Sequence, residues 1–499
     1  MPSTKSRDVK ERSAVHPDLI LGICCMSVFL ISMDVTIVNV ALPAIQRDLH
    51  ADVAQLQWIV DAYTLVVASL LMLAGSLSDR YGRRRVFQLG LILFTAGSLL
   101  CSFAHNTGQL VAFRALQGLG ASMLNPVALS IVANAFPDTK GRGRAVGIWG
   151  AVAGVSLAIG PIVGGALTQR IGWRSIFWIN LPIGILALTL AAIFVPESKS
   201  TRARAFDPGG QLLVFIGLAT LIYAVIDGPH AGWDSPLILG LFATVAAVLV
   251  LFVIYEPRLK EPLLDLRFFR SVPFSSATLL GVSVFACFAG FLFLNALYLQ
   301  QSRGLSAFNT GLCTLPLALA MIISAPLSGR LVGTRGTRPS LLISGSALML
   351  STLILANLTI ATPLPLLLLA YTLFGIGLGM VNPAIANNAV SGMPLSQAGV
   401  AAAVASTSRQ VGAALGVAVA GTVLHASYTK AEDIAQLTHP IWNIMTACGA
   451  FVLLLGWAGS TAWARASANR VASLLDDECV NHRRRNLQRQ RYGSPDPAP

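Results

Sequence analysis

Charge is scarce in this sequence: only 11% of its 499 residues are Asp, Glu, Lys or Arg, where soluble domains carry about a quarter. That shortage excludes an ordinary water-soluble fold for most of the length. Cysteine and histidine are sparse too. The seven cysteines show no CxxC or metal-ligand spacing, and all but Cys479 lie in apolar segments, so they read as small packing residues and imply no disulfide framework. The seven histidines are scattered and form no HExxH-type pair, so no metal site is expected. No P-loop, GxSxG or zinc-ligand motif is present, and no polar stretch exceeds about 40 residues, too short for an independent domain. An enzyme and an ATP-driven pump are therefore not expected, and no cofactor is implied. A cleavable signal peptide is not expected either, because the first eighteen residues are polar and basic and the first apolar run is long enough to stay in a membrane.

What the chain has in quantity is apolar length. It is 55% hydrophobic, with a mean hydropathy of +0.69. A helix needs about 20 apolar residues to cross the hydrocarbon core. Such spans are predicted near 19–41, 55–77, 86–104, 108–133, 143–168, 175–195, 210–227, 236–255, 274–296, 309–332, 340–359, 364–388, 400–424 and 441–464. The expected fold is an all-α polytopic membrane protein of fourteen transmembrane helices.

The net charge of +13 supports this count. With the N-terminus inside and alternating spans, 28 of the 35 Lys and Arg fall in cytoplasmic segments, and five fall in outer loops: Arg47, Arg170, Arg174, Arg303 and Lys430. That is the positive-inside bias, and both termini are expected in the cytoplasm, in a cell inner (cytoplasmic) membrane. The basic excess is therefore topological and does not point to nucleic acid. The tail residues Arg483, Arg484, Arg485, Arg489 and Arg491 read as a solvated tail that fixes topology, or as a contact for anionic lipid.

The chain also repeats itself. Gly118 to Pro126 (GLGASMLNP) matches Gly375 to Pro383 (GIGLGMVNP); Gly75, Leu77, Gly82 and Arg84 match Gly329, Leu331, Gly336 and Arg338; and Gly147, Gly160 and Gly164 match Gly399, Gly412 and Gly416, at offsets of 257, 254 and 252. Spans 1–6 thus recur as spans 9–14, with spans 7 and 8 inserted. The expected organisation is a cytoplasmic N-terminus (1–18), a six-helix bundle (19–195), a linker carrying the two inserted helices (196–272), a second six-helix bundle (273–465) and a basic cytoplasmic tail (466–499). Two related bundles with a site between them suit alternating access.

Four charged residues lie well inside the spans: Asp34, Asp61, Arg114 and Arg409, with Asp227 at a span end. Charge inside a bilayer costs several kcal/mol, about 2.5 upward, so such groups are paired, hydrated or functional. Asp34, Asp61 and Arg114 each fall six or seven residues from the outer end of their span, roughly 10 Å deep at 1.5 Å per residue. An acid–base cluster there can store and release a proton, or serve as a fixed ion pair. Tyr371 occupies the position matching Arg114, so the cluster belongs to the first half alone. Arg409, in the polar stretch 406–410, either bonds backbone carbonyls in a structural role or lines a cavity.

These residues carry a resemblance to the major facilitator superfamily, and to its fourteen-span drug:proton antiporters, over roughly residues 19 to 465. Met33 to Pro43 (MDVTIVNVALP) resembles the signature of that group, followed by Gln57-Trp58 and Tyr63; Trp173-Arg174 and Asn180 to Pro182 also fit it. Gly75 to Arg85 (GSLSDRYGRRR) is similar to the superfamily's cytoplasmic loop, whose members Gly75, Asp79, Arg80, Gly82, Arg83 and Arg84 would latch the two bundles, with a partner at the start of span 13 near Ser396. The second copy departs from the pattern, with Gly333 and Thr334 in place of Asp79 and Arg80. Leu110 to Gly120 resembles the motif whose arginine serves proton coupling, which here is Arg114. Gly150, Gly154, Gly160, Pro161, Gly164 and Gly165 resemble the span-5 antiporter motif, although close packing alone would use the same residues. Asp61 resembles acids in exporters of cationic compounds.

The resemblance implies proton-coupled efflux of hydrophobic or cationic drug-like compounds, energised by the proton motive force, with Asp34, Asp61 and Arg114 in coupling and with Tyr63, Asn125, Asn382 and Arg409 as candidate cavity residues. The implied partners are a small-molecule substrate, protons and the lipid bilayer. A dedicated exporter of a metabolite, siderophore or self-made antibiotic shares the scaffold, and a nutrient symporter or a membrane sensor is the more distant alternative.

Overall fold

The structure is a computed structural model that describes residues 16–199, 207–259, 262–394, 397–428, 434–459, 461, 463–464 and 466–474. Fourteen long helices follow in chain order. The first six are α1 (Pro17–Leu49), α2 (Val53–Tyr81), α3 (Arg83–Ser102), α4 (Thr107–Ala135), α5 (Thr139–Arg170) and α6 (Ser175–Phe194). Next come α7 (Pro208–Ala231) and α8 (Pro236–Tyr255). The last six are α9 (Val272–Leu297), α10 (Ala307–Arg335, broken at Thr314), α11 (Thr337–Leu355), α12 (Leu364–Val390), α13 (Ala398–Tyr428) and α14 (Ala435–Ala458). Among the described residues thirteen of these are long and apolar enough to cross a membrane. The fourteenth, α13, has 31 residues, about 46 Å of helix at 1.5 Å per residue. The chain is a multi-pass membrane protein.

The helices outrun the predicted apolar spans because polar caps carry them past the hydrocarbon. Asp52 starts α2 with a reciprocal box: Gln55 N donates to its carboxylate at 2.7 Å, and Asp52 N donates to the Gln55 side chain at 3.2 Å. Asn106 and Asp138 cap α4 and α5 in the same N-terminal position. The repeat recurs in the backbone. Gly82 and Gly336 each end one helix and begin the next at φ +113° and +79°, a region that L side chains rarely adopt.

Packing follows the same repeat. In the first half α1 lies on α5, α2 on α4 and α3 on α4 and α6; in the second, α9 lies on α13, α10 on α12 and α11 on α12 and α14. Gly160 and Gly164 bring α5 against Met33, Thr36 and Ile37 of α1, while Gly412 and Gly416 bring α13 against Val282 and Ala286 of α9. A Cβ at any of these four positions would collide with the facing helix, so the glycines set that close approach. Inserted helix α7 fills the seam between α2 and α13, where Gln211 donates to Ser69 O and Thr422 donates to Val225 O at 2.7 Å. Helix α8 packs on α7, and only 11% of its apolar window is buried. Such an apolar surface suits lipid, not water.

Candidate functional site

Asp34 and Arg114 meet at the centre of the first half. Arg114 Nη1 donates to Asp34 Oδ2 at 2.6 Å and to Gln117 Oε1 at 2.7 Å, and Nε donates to Ile59 O at 3.2 Å. Gln117 Nε2 and Asn180 Nδ2 both donate to Asp34 Oδ1, at 2.8 and 3.2 Å. Asn180 also reaches Ser98 Oγ at 3.0 Å. The guanidinium lies 4.3 Å from the centroid of the Tyr63 ring. Asp34, Gln117 and Asn180 are fully buried and Arg114 is 2% exposed. Five helices, α1, α2, α3, α4 and α6, supply this network, and each charge meets the opposite charge and neutral dipoles, as buried ions must.

Asp61 does not join it. Ile59 and Tyr63 face Arg114, and the residue between them on a 3.6-residue helix points nearly the opposite way. Trp58 and Leu65, three before and four after Asp61, pack with Ile222, Ile226, Ala414 and Ala418 of α7 and α13. Asp61 shares that face, is fully buried, and neither carboxylate oxygen has a hydrogen-bond partner among the described residues. The expected single cluster of Asp34, Asp61 and Arg114 is therefore two sites on opposite faces of α2.

Between the halves lies a cavity of about 780 Å³. It runs from Gly75, Ser76 and Asp79 of α2 and Gly399 of α13, at the end of the molecule that carries the basic loops, inward to Asn125, Trp149, Phe285 and Arg409. The opposite end is closed by bonds across the halves. Gln300 Nε2 donates to Val40 O at 2.8 Å, Gln301 to the Gln46 side chain at 2.7 Å, and Gln57 to Ala418 O at 2.6 Å. Gly165 packs on the Ala307 carbonyl and Gly311 on the Pro161 carbonyl. Of the four candidate cavity residues, Asn125 and Arg409 line this space. Tyr63 is 2% exposed beneath Arg114, and Asn382 donates to Leu378 O of its own helix at 3.2 Å; neither lines the cavity. The structural alternative for Arg409, bonding to backbone carbonyls, finds no such bond among the described residues.

The Gly75–Arg85 segment is anchored locally in this conformation. Asp79 pairs with Arg83 at 2.9 Å. Glu197, beyond α6, accepts from Arg84 N at 3.2 Å and sits where a Gly82 side chain would project. Arg80 is exposed. The expected latch partner near Ser396 lies outside the described residues. In α5, Gly160, Gly164 and Gly165 make close helix contacts, Pro161 faces Gly311, Gly154 is open apart from Ile322, and Gly150 meets nothing within 4 Å. Gln117 and Glu197 carried no signal of their own in the sequence, since neutral amides and loop acids are common; only packing gives them roles.

Residues 24–417 match the family model described as Major Facilitator Superfamily. The chain is 40% identical over 401 residues to the multidrug resistance protein Stp of Mycobacterium tuberculosis, covering 80% of this chain and 74% of that one. It is 36% identical over 400 residues to the tetracenomycin C resistance and export protein of Streptomyces glaucescens, covering 80% and 74%. It is 34% identical over 429 residues to the methylenomycin A resistance protein of Bacillus subtilis, covering 85% and 91%.

Proposed function

This chain belongs to the major facilitator superfamily, and on that premise we propose that it is a proton-driven exporter of drug-like compounds working by alternating access. The observation that carries the proposal is the pairing of a buried carboxylate–guanidinium network with a separate cavity between two repeat-related halves, open at one end and bonded shut at the other. The resistance and export named for its relatives supports a drug-like cargo.

The basic end faces the cytoplasm, with both termini there, in the cell inner membrane. The conformation described is then inward-facing. In the outward-facing state a proton from outside reaches Asp34, and a neutral carboxyl can no longer compensate Arg114. The guanidinium turns to Gln117, Ile59 O and the Tyr63 ring, the grip on α1 loosens, and the halves rock toward the inward-facing state. Release of the proton restores the 2.6 Å pair while cargo enters from the cytoplasmic side. Asp61, in the α2–α13 seam that must shear as the halves rock, is the second acid of the cycle. The proton motive force supplies the energy, with no cofactor. Asp79 exchanges its local Arg83 partner for the start of α13 when the cytoplasmic end closes.

Inverted vesicles with an imposed pH gradient test the reading. Substrate uptake should follow the gradient and collapse with an uncoupler; uptake indifferent to both removes proton coupling. A susceptibility panel in a pump-deficient host separates a broad exporter from one dedicated to a single metabolite or antibiotic.

A further inference from the structure

We infer that the central cavity selects cargo bearing an anionic group, such as a carboxylate or phenolate on an apolar body, and that Arg409 is its anchor; this rests on the export reading only for what happens after binding. Three charged side chains line the cavity: Asp79, Asp207 and Arg409. Asp79 is ion-paired with Arg83 at 2.9 Å, while Asp207 has no cationic partner among the described residues. Asp207 Oδ1 accepts from Gly210 N at 2.9 Å and Tyr255 OH at 3.2 Å, and its Oδ2 has no hydrogen-bond partner among the described residues. Both stand at helix ends near the mouth.

Arg409 stands eleven residues into α13, about 17 Å from its start. Among the described residues no ion pair or hydrogen bond satisfies it. Its nearest aromatic neighbour is Phe285, with the ring centroid 5.8 Å from the guanidinium carbon. Trp149 and Asn125 line the same space. Trp149 Nε1, which can only donate, and Asn125 Oδ1, which can only accept, are both buried without a protein partner among the described residues, so these two neighbours favour neither sign of charge.

Arg409 is partly exposed to the cavity, so water solvates it until cargo displaces that water. The three classes of cargo then differ. A cation places like charges together in a medium of low dielectric. A neutral compound leaves the guanidinium desolvated and unpaired. An anion supplies the compensation, and a planar carboxylate fits the guanidinium fork. The cationic preference expected from Asp61 loses its basis here, because Asp61 does not line the cavity.

The test uses the full-length purified chain and three probes sharing one ring system: 9-anthracenecarboxylate, 9-anthracenemethanol and (9-anthracenylmethyl)trimethylammonium. Binding is measured in detergent for wild type, Arg409→Gln and Arg409→Lys, with thermal melting of each to establish folding. Wild type should bind the carboxylate at least tenfold tighter than the other two. Arg409→Gln should lose that preference without losing affinity for the alcohol, and Arg409→Lys should retain part of it. Equal or weaker binding of the carboxylate by wild type, absence of carboxylate binding at millimolar probe, or an unchanged carboxylate affinity in a folded Arg409→Gln variant overturns the inference. If Arg409→Gln fails to fold, Arg409→Lys carries the test: weakened carboxylate affinity with the alcohol unchanged supports the inference, and an unchanged carboxylate affinity overturns it. Arg409-dependent carboxylate binding by a protein that moves none of the probes in vesicles would leave this inference standing and remove the export reading.

Discussion

Gln117 holds Asp34 from the side that Arg114 leaves free. Its Nε2 donates to Oδ1 at 2.8 Å, while Arg114 takes Oδ2 at 2.6 Å and also donates to the Gln117 oxygen. The three side chains form a closed ring, one acid and one base bridged by an amide that satisfies both. Such a ring is stable as it stands, and removing one charged member leaves the other buried and uncompensated.

Asp34→Asn should therefore abolish gradient-driven transport and also weaken the fold, by about 3–5 kcal/mol if Arg114 stays charged. Replacing both partners with leucine should recover much of the thermal stability and none of the transport. Melting of the purified variants and uptake in inverted vesicles check this. Wild-type transport by Asp34→Asn would end the coupling role of Asp34.

Asp61→Asn should behave differently. No polar partner is lost, and asparagine keeps the size, so the melting temperature should stay close to wild type. The change removes only the titration. If Asp61 is the second acid of the cycle, protons moved per substrate should fall, measured as the pH change of a lightly buffered vesicle suspension. An unchanged ratio would make Asp61 a passive occupant of the α2–α7–α13 seam.

The contrast between these two aspartates marks what the sequence carries. Asp34 and Arg114 were legible because charge within an apolar span is costly, and their matching depth indicated that they could meet. The glycine repeat was legible because close helix approach needs the same small residue in both halves, as Gly164 and Gly416 show. The direction of a side chain around its helix was not legible. Asp61 is two residues from both Ile59 and Tyr63, and only the packing of α7 reveals that it faces away from Arg114. Arg409 posed the same problem, since a polar run in a span fits either a wall or a cavity.

The closed end of the cavity depends on backbone contact between the halves. A Cβ at Gly165 would overlap the Ala307 carbonyl, where α5 meets the start of α10. Gly165→Ala should cost about 1–3 kcal/mol in this conformation only, biasing the equilibrium about 5- to 150-fold toward the state open at that end. Ala307→Cys, at a position buried in this conformation, in a background lacking the native cysteines, should then react several-fold faster with an impermeant maleimide applied to whole cells. An unchanged rate would mean that the end is not a gate.

Charge balance gives the last expectation and joins the proton ring to Arg409. If n protons enter for each molecule exported, a singly charged anion leaving moves n + 1 positive charges inward, whereas a cation leaving moves n − 1. Each charge crossing 100 mV is worth about 2.3 kcal/mol, about 50-fold in the attainable gradient. With one proton per cycle, export of a cation would be indifferent to membrane potential, and export of an anion would respond with two charges. Proteoliposomes holding equal pH on both sides, with a potassium gradient clamped by valinomycin, separate the two cases. Movement of 9-anthracenecarboxylate should rise steeply when the cargo-receiving side is made positive, and should not rise in Arg409→Gln. A flat response in wild type would mean that the guanidinium in the wall does not carry an anion through the cycle.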